Sequence, residues 1–369
     1  MPSLLQEGAI IRETYEVERF MGQGAFAEVY RVKHRFLGRQ AMKVFKRSGM
    51  TLPEIEEMLG EAIMLSKIGH PNIVRVFDAN VVEGANGLLG YFTMENVAGG
   101  SLDKYWHSHG IHLVPITTTI DILKQVCRGL SVAHREKPPI IHRDIKPQNI
   151  LVGYEADGLR ARVSDFGLAR SVNPLTLLAT AAGTLAFKPP EAFSNTRGDS
   201  TAADVWALGT TLYLLLTDRL PYNVSNEMGW GPNDAFKEAY PAASDINPDV
   251  NPSLNRIIAR CLEKDPVKRF QTAGDLLTAL ENWKPGVEVI PKRRSPYISS
   301  EVSKPALGMV ISSPNQSEAE KLAKNAVGLK NSGRLHDAAD MMEEAFNKWP
   351  DLRDKYEPQV KLWRCGISM

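Results

Sequence analysis

At 369 residues the chain is too long for one small core, and its 43% hydrophobic and 24% charged residues exclude a globally disordered protein. Lys plus Arg total 44 against 43 Asp plus Glu, a formal net charge of +1. No block of like charge is long enough to grip a polyanion, so nucleic acid is not expected as a partner.

After an N-terminal extension (1–14), β-rich runs fill 15–98: Tyr15–Met21, Glu28–His34, Gln40–Phe45, Val74–Asn80 and Leu89–Met94. One helical stretch interrupts them over Pro53–Ile68, where Ile55, Met58, Leu59, Ala62, Ile63 and Leu65 recur at helical spacing and Pro53 suits a first turn. Beyond Gly99-Gly100 the pattern turns mainly helical to residue 284, most clearly over Ile116–Lys137, Ala202–Thr217, Leu254–Leu262 and Ala273–Trp283. Residues 285–317 hold Pro285, Pro291, Pro296, Pro305 and Pro314 among Ser, Lys and Gly, and read as a linker that includes the basic run Lys292-Arg293-Arg294. In 318–369, Ala319–Lys348 is helical with a break at Asn331-Ser332-Gly333-Arg334, which predicts a hairpin, and a further helix is expected over Leu352–Trp363.

Cys127, Cys261 and Cys365 are far apart and outside any C-x-x-C spacing, which argues against a disulfide framework or zinc site and for a reducing, cytoplasmic setting. No signal peptide is legible from Met1 to Glu7. The most apolar windows, around Leu175–Ala182 and Ala207–Thr217, fall short of the roughly 20 residues that span a bilayer, so no membrane contact is expected.

The chemistry concentrates in four places. Gly22-Gln23-Gly24-Ala25-Phe26-Ala27-Glu28-Val29 lies between two predicted strands, where small residues let backbone N–H groups approach phosphates. Ala41-Met42-Lys43 sits on the next strand and Glu61 on the helix after it, a lysine with a candidate carboxylate partner. His142-Arg143-Asp144-Ile145-Lys146-Pro147-Gln148-Asn149 and Asp165-Phe166-Gly167 follow in order. Over about Tyr15–Trp283 these motifs resemble the eukaryotic-type (Hanks-type) serine/threonine protein kinase family.

The resemblance implies an α+β fold of two lobes, β-rich then α-helical, to which the helical pattern of 318–369 appends a short helical segment. It implies ATP and Mg²⁺ as cofactors and proteins with Ser or Thr acceptors as substrates. Carried over by position, Asp144 would orient the substrate hydroxyl and take its proton, Asn149 and Asp165 would hold Mg²⁺, and Lys43 would pair the α- and β-phosphates with Glu61 behind it. Gly22, Gln23, Gly24, Ala25 and Phe26 would cover the phosphates. Met94 falls at the gatekeeper position, with the backbone of Glu95 and Val97 at the adenine edge and Val29, Ala41 and Leu151 against the ring. Lys146 resembles the lysine with which Ser/Thr-specific members contact the γ-phosphate, and Gly183-Thr184 ahead of Pro189-Pro190-Glu191 resembles their substrate-docking loop. Asp204 resembles the aspartate that anchors the catalytic loop, and Arg269 the arginine that pairs Glu191.

Ala27, Lys188 and Pro189 depart from the family pattern. Lys188, next to the docking loop, either favours an acidic group beside the target hydroxyl or is a solvated lysine. Arg143 before Asp144 is the arrangement in which members often need a phosphate on the activation segment. Ser171, Thr176 and Thr180 are the candidate acceptors, with Thr180 preferred for autophosphorylation. Ala323, Leu329, Gly333, Ala338, Ala345 and Pro350 are spaced as in one tetratricopeptide repeat, which needs a neighbour: the lobe, a second copy or a protein partner. A plain stabilising cap, and a catalytically silent scaffold acting through this tail, are the competing readings.

Overall fold

The computed structural model describes residues 3–24, 26–47, 50–66, 68–85, 87–109, 113–166, 185–193, 199–222, 234–286 and 316–368, without the side chains of 61–66. They form two compact units, one from the described residues of Met1–Val97 and Arg162–Thr180, the other from those of Ala98–Ala161 and Ala181–Met369. The expectations for Ala25, Gly167, Ser171, Thr176, Thr180, Gly183 and Thr184, for the Glu61 side chain and for 287–315 of the linker lie outside the described residues.

The first unit is an antiparallel sheet in the order β1-β2-β3-β4-β6-β5, with β1 Ile10–Ile11, β2 Tyr15–Gln23, β3 Ala27–His34, β4 Gly38–Phe45, β5 Val76–Gly84 and β6 Gly87–Glu95. Alternation sets its inner face: Tyr30 and Val32 of β3 are buried while Arg31 and Lys33 between and beyond them are not, and they meet Tyr15, Val17, Met42, Val44, Leu89 and Tyr91 in one core. Ser3–Ile11 belongs to that core. Leu4 N donates to Glu28 Oε2 at 2.9 Å, and Leu5 and Ile11 are buried. Helix α1 (Leu52–Ser66) buries Ile55 and Leu59 against β6, and Gly90 makes the approach possible. A Cβ there would stand 2.8 Å from Met58 Cε and 2.9 Å from Ile55 Cγ2.

The second unit is built around α4 (Thr201–Thr217), in which Ala202 through Thr217 are all buried. A helix apolar on every side has to be enclosed, and its polar groups are satisfied locally: Thr211 Oγ1 donates to Ala207 O at 2.9 Å and Thr217 Oγ1 to Tyr213 O at 2.7 Å. Around it lie α2 (Leu102–His107), α3 (Ile116–Arg135), α5 (Ala243–Ile246), α6 (Pro252–Cys261) and α7 (Ala273–Asn282). Side-chain caps start three of these helices: Ser200 before α4, Asn251 with Pro252 at N1 before α6, and a Thr272/Asp275 capping box before α7. The β7 (Ile150–Glu155) and β8 (Gly158–Val163) hairpin interrupts the helical run. Three helices close the chain, α8 (Gln316–Asn331), α9 (Leu335–Lys348) and α10 (Leu352–Arg364), with Gly333 at φ +78° in the break expected there. No helix among the described residues is long and apolar enough to cross a membrane.

Candidate active site

The first unit holds the glycine-rich turn, Lys43 and Asp165. β2 ends at Gln23 and β3 starts at Ala27, and the turn between them is closed by Gly24 N donating to Ala27 O at 2.8 Å. It is tied to the end of β4 by Lys46, whose Nζ donates to Gln23 Oε1 and Gly24 O, both at 2.9 Å, and whose N donates to Phe26 O at 2.8 Å. Lys46 was not singled out from sequence. As a lysine three residues beyond the end of the Ala41-Met42-Lys43 motif, it carries no signal there.

Register places Val29 opposite Lys43, and Ala41 opposite Met94. Ala41, Met94 and Val97 are buried, and Val29 is half-buried. The Lys43 Nζ lies 2.7 Å from Asp165 Oδ1. Asp165 itself is presented by a segment bonded to this unit at Val163, whose N donates to Asn72 O and whose O accepts from Val74 N, each at 2.9 Å. Next to it, Arg162 Nε pairs Glu95 Oε1 at 3.0 Å. Asp165 adopts φ +58°, a left-handed conformation that a non-glycine residue takes only when held.

The second unit holds the catalytic loop. Asp144 Oδ2 is met by Lys146 Nζ at 2.9 Å and accepts from Asn149 Nδ2 at 2.8 Å; the same Nδ2 donates to Asp144 O at 2.8 Å. One carboxylate is thus oriented by both residues that the motif places two and five positions beyond it. Leu151 sits on β7, bridged to Ser101.

The loop backbone is fixed by Asp204 of α4. Its Oδ2 accepts from His142 N at 2.8 Å and its Oδ1 from Arg143 N at 2.9 Å. His134 Nε2 meets Oδ2 at 3.0 Å, and because His134 Nδ1 accepts from Ala273 N, the ring is the Nε2–H tautomer that donates to Asp204. Full burial alone pushes the Asp204 carboxyl up, but the bond from His134 and the neighbouring His142 reverse this and hold it below the usual carboxylate range. The anchor expected from sequence is therefore present, and His134 behind it was not foreseen.

Arg143 shows what the anchor works against. Its φ is +68°, its N is held by Asp204, and its O accepts from Lys188 Nζ at 2.6 Å. The Lys188 ammonium faces inward onto this carbonyl, which corrects the expectation of a lysine either solvated or presented to an acidic substrate. A hydrogen-bond donor is what a strained carbonyl needs, and a side chain that departs from the family pattern supplies it. The Arg143 guanidinium reaches Asp199, Nε to Oδ2 at 2.9 Å.

Further out, Arg269 forks onto Glu191, Nη1 to Oε1 at 2.6 Å and Nη2 to Oε2 at 2.7 Å, with its side chain fully buried and its guanidinium over Trp206 at 4.9 Å. That pairing was expected.

Among known proteins, the family described as protein kinase domain matches residues 15–279. A "probable serine/threonine-protein kinase" of Clostridium acetobutylicum is 32% identical over 284 residues, 75% of this chain and 41% of that protein. The serine/threonine-protein kinase PrkC of Bacillus subtilis is 32% identical over 275 residues, 73% of this chain and 40% of PrkC. The chain thus spans about four-tenths of the length of these relatives. In structure, the kinase domain of Mycobacterium tuberculosis PknI aligns at TM-score 0.56 and 24% identity over 75% of this chain and 98% of that domain, a likeness of fold. With the motifs in order, the catalytic loop assembled and the family matched across both units, the chain belongs to the protein kinase family as a Hanks-type serine/threonine member.

Proposed function

We propose that this chain is an active serine/threonine protein kinase of broad EC 2.7.11.1 type that transfers the ATP γ-phosphate to Ser or Thr hydroxyls of proteins. The observation that carries the reading is the Asp144 carboxylate held by Lys146 and Asn149 on a loop whose backbone is anchored by buried Asp204. Both side-chain bonds meet Asp144 Oδ2, so Oδ1 is the oxygen assigned to align the acceptor hydroxyl and take its proton. Lys146, beside that oxygen pair, is the cation placed to balance charge on the transferring phosphoryl group.

Family membership implies ATP and a divalent metal. The donors fit a hard cation: Asp165 offers carboxylate oxygens, and Asn149, whose amide nitrogen is committed to Asp144, offers Oδ1. We assign Mg²⁺ to these two residues; when bound, it would neutralise phosphate charge. Lys43, now on Asp165, is assigned the α- and β-phosphates with Glu61 as its partner. The loop Gly22, Gln23, Gly24, Ala25 and Phe26 is assigned the phosphate cover. Met94, Glu95, Val97, Val29, Ala41 and Leu151 are assigned adenine contacts. Cytoplasmic placement suits the free thiols of buried Cys127 and Cys261. Autophosphorylation of the activation segment, at Thr180 before Ser171 or Thr176, with Thr184 in the docking loop, completes the reading. A protein partner at a tetratricopeptide-like tail is the part with least support, because the tail is engaged by its own unit.

Labelled γ-phosphate transfer to the chain itself and to a generic basic protein tests the proposal. Wild type is expected to label Ser or Thr, and Asp144→Ala is not. Nucleotide binding without transfer by wild type would favour a silent scaffold instead.

A further inference from the structure

The three C-terminal helices share a core with β7. Ala323, Ala326, Ala338, Ala339, Met342, Ala345, Phe346, Val360 and Trp363 close around Tyr154. Within this apolar contact sits a carboxylate, Glu343 of α9, only 1% exposed. Its Oε1 accepts from Arg364 of α10, Nη2 at 2.7 Å and Nε at 3.2 Å, and Arg364 Nη2 also meets Asp340 Oδ1 at 2.7 Å. Both Glu343 oxygens stand 3.4 Å from Tyr154 N.

A buried ion pair is a poor device for stability alone, since an apolar side chain of similar size does as well or better, but it fixes register. The element in register here is Gly99-Gly100. A Cβ on Gly99 would lie 2.8 Å from Glu343 Oε2 and 2.3 Å from Val152 O, so the segment is wedged between the tail carboxylate and β7. Gly100 O accepts from Val152 N at 2.8 Å, Gly100 takes φ +78°, and a Cβ there would be 3.4 Å from Asn347 Nδ2 of α9. Arg353 of α10 continues the grip, donating to Tyr154 Oη at 3.0 Å and lying 4.8 Å over the Tyr105 ring of α2, the helix that follows this segment. Gly99 is two residues beyond Val97, to which an adenine contact is assigned.

We propose that Glu343, seated by Arg364, is a positioning residue for nucleotide binding: the C-terminal helices act in cis to hold Gly99-Gly100, and thereby set the affinity for ATP without taking part in phosphoryl transfer. This rests on the kinase reading above. Two glycines in succession form the softest stretch of the segment, and without an external support they would lose the most conformational freedom each time a nucleotide was bound. The tail removes that freedom in advance.

The test uses the full chain with Glu343→Ala, Glu343→Gln and Arg364→Gln. ATP binding is measured by calorimetry, and KM for ATP and kcat by phosphate transfer. Loss of the support is expected to raise the Kd and KM for ATP about tenfold in Glu343→Ala and Arg364→Gln, with kcat within about twofold and Glu343→Gln in between. If Glu343→Ala does not fold, Arg364→Gln carries the same expectation from the other side of the contact. If wild type binds and transfers while these variants lose only thermal stability and keep their ATP affinity, the tail is a plain cap and the proposal is overturned. If wild type neither binds ATP nor transfers phosphate, it is the kinase reading that fails.

Discussion

Asp204→Asn isolates the anchor of the catalytic loop with the least change in size. The carboxylate accepts from His142 N at 2.8 Å, Arg143 N at 2.9 Å and His134 Nε2 at 3.0 Å. An asparagine keeps one oxygen, so whichever way the amide turns, an N–H group faces at least one of these donors. A charge-assisted bond of this kind contributes about 1.5–3 kcal/mol, and a buried donor left unpaired costs about 1–3 kcal/mol, so the loss of stability should be about 3–5 kcal/mol. The same bonds hold Arg143 at φ +68°, a conformation that costs a non-glycine residue about 1–2 kcal/mol. Released, the loop relaxes toward negative φ and carries the adjacent Asp144 with it. A displacement of about 1 Å at a catalytic group can cost about 100-fold, and kcat should fall by that order. KM for ATP should move less, because Lys43, Ala41, Met94 and Val97 lie outside the loop that Asp204 holds. Urea unfolding followed by tryptophan fluorescence, together with phosphate transfer, measures both effects. A variant with an unchanged midpoint and kcat within about threefold of wild type would refute the reasoning.

Other perturbations separate the remaining contacts. Lys188→Ala removes the donor to Arg143 O, and kcat should drop about tenfold with no change in preference for acidic over neutral peptides; a changed charge preference on a peptide array would return Lys188 to the substrate side. Arg269→Lys keeps the charge but cannot fork onto both Glu191 oxygens, and should cost about 3 kcal/mol in a chemical melt, as breaking a buried pair does. Burial pushes Glu343 up to about 7 despite Arg364, with Asp340 adding to the rise. Between about 4.5 and about 7 the folded chain therefore keeps a proton that the unfolded chain releases, and stability attributable to Glu343 falls as pH rises through that window. Melting curves across it should show wild type losing ground to Glu343→Gln, and parallel curves would remove the effect.

How much of this was legible in the sequence depends on the distance over which each residue acts. The catalytic loop was, because Asp144, Lys146 and Asn149 meet within one turn of chain and a local motif contains the whole contact. Helix α4 was also visible, as a helical pattern over Ala202–Thr217 that misses its observed start at Thr201 by one residue. The β7–β8 hairpin was not anticipated, although Gly158 at φ +120° marks its turn: each strand is only 6 residues long, too short for a clear alternating pattern. β5 was expected over Val74–Asn80 and runs over Val76–Gly84, because Val74 and Ile73 are spent on Val163 instead of on β6.

Lys188 and Glu343 expose the limit more sharply. Each is a charged residue of a type that usually lies in water, and nothing in its neighbours along the chain says otherwise. What turns Lys188 inward is backbone 45 residues away, the carbonyl of Arg143. Glu343 is held by the Arg364 guanidinium at 2.7 Å and, 189 residues away, faces the backbone amide of Tyr154 at 3.4 Å. Backbone groups leave no trace in side-chain pattern, so a residue recruited to satisfy one cannot be inferred by matching charges or periodicities. Gly99 was the one local clue. A glycine in φ space open to other residues, next to a second glycine, is explained only when the atoms that would meet its Cβ are known, and two of those belong to Val152 and to a helix more than 200 residues downstream. The consequence is mechanical: β7 and α9 together leave no room for a methyl group on Gly99, so loosening α9 from β7 changes the space available to the Gly99-Gly100 segment.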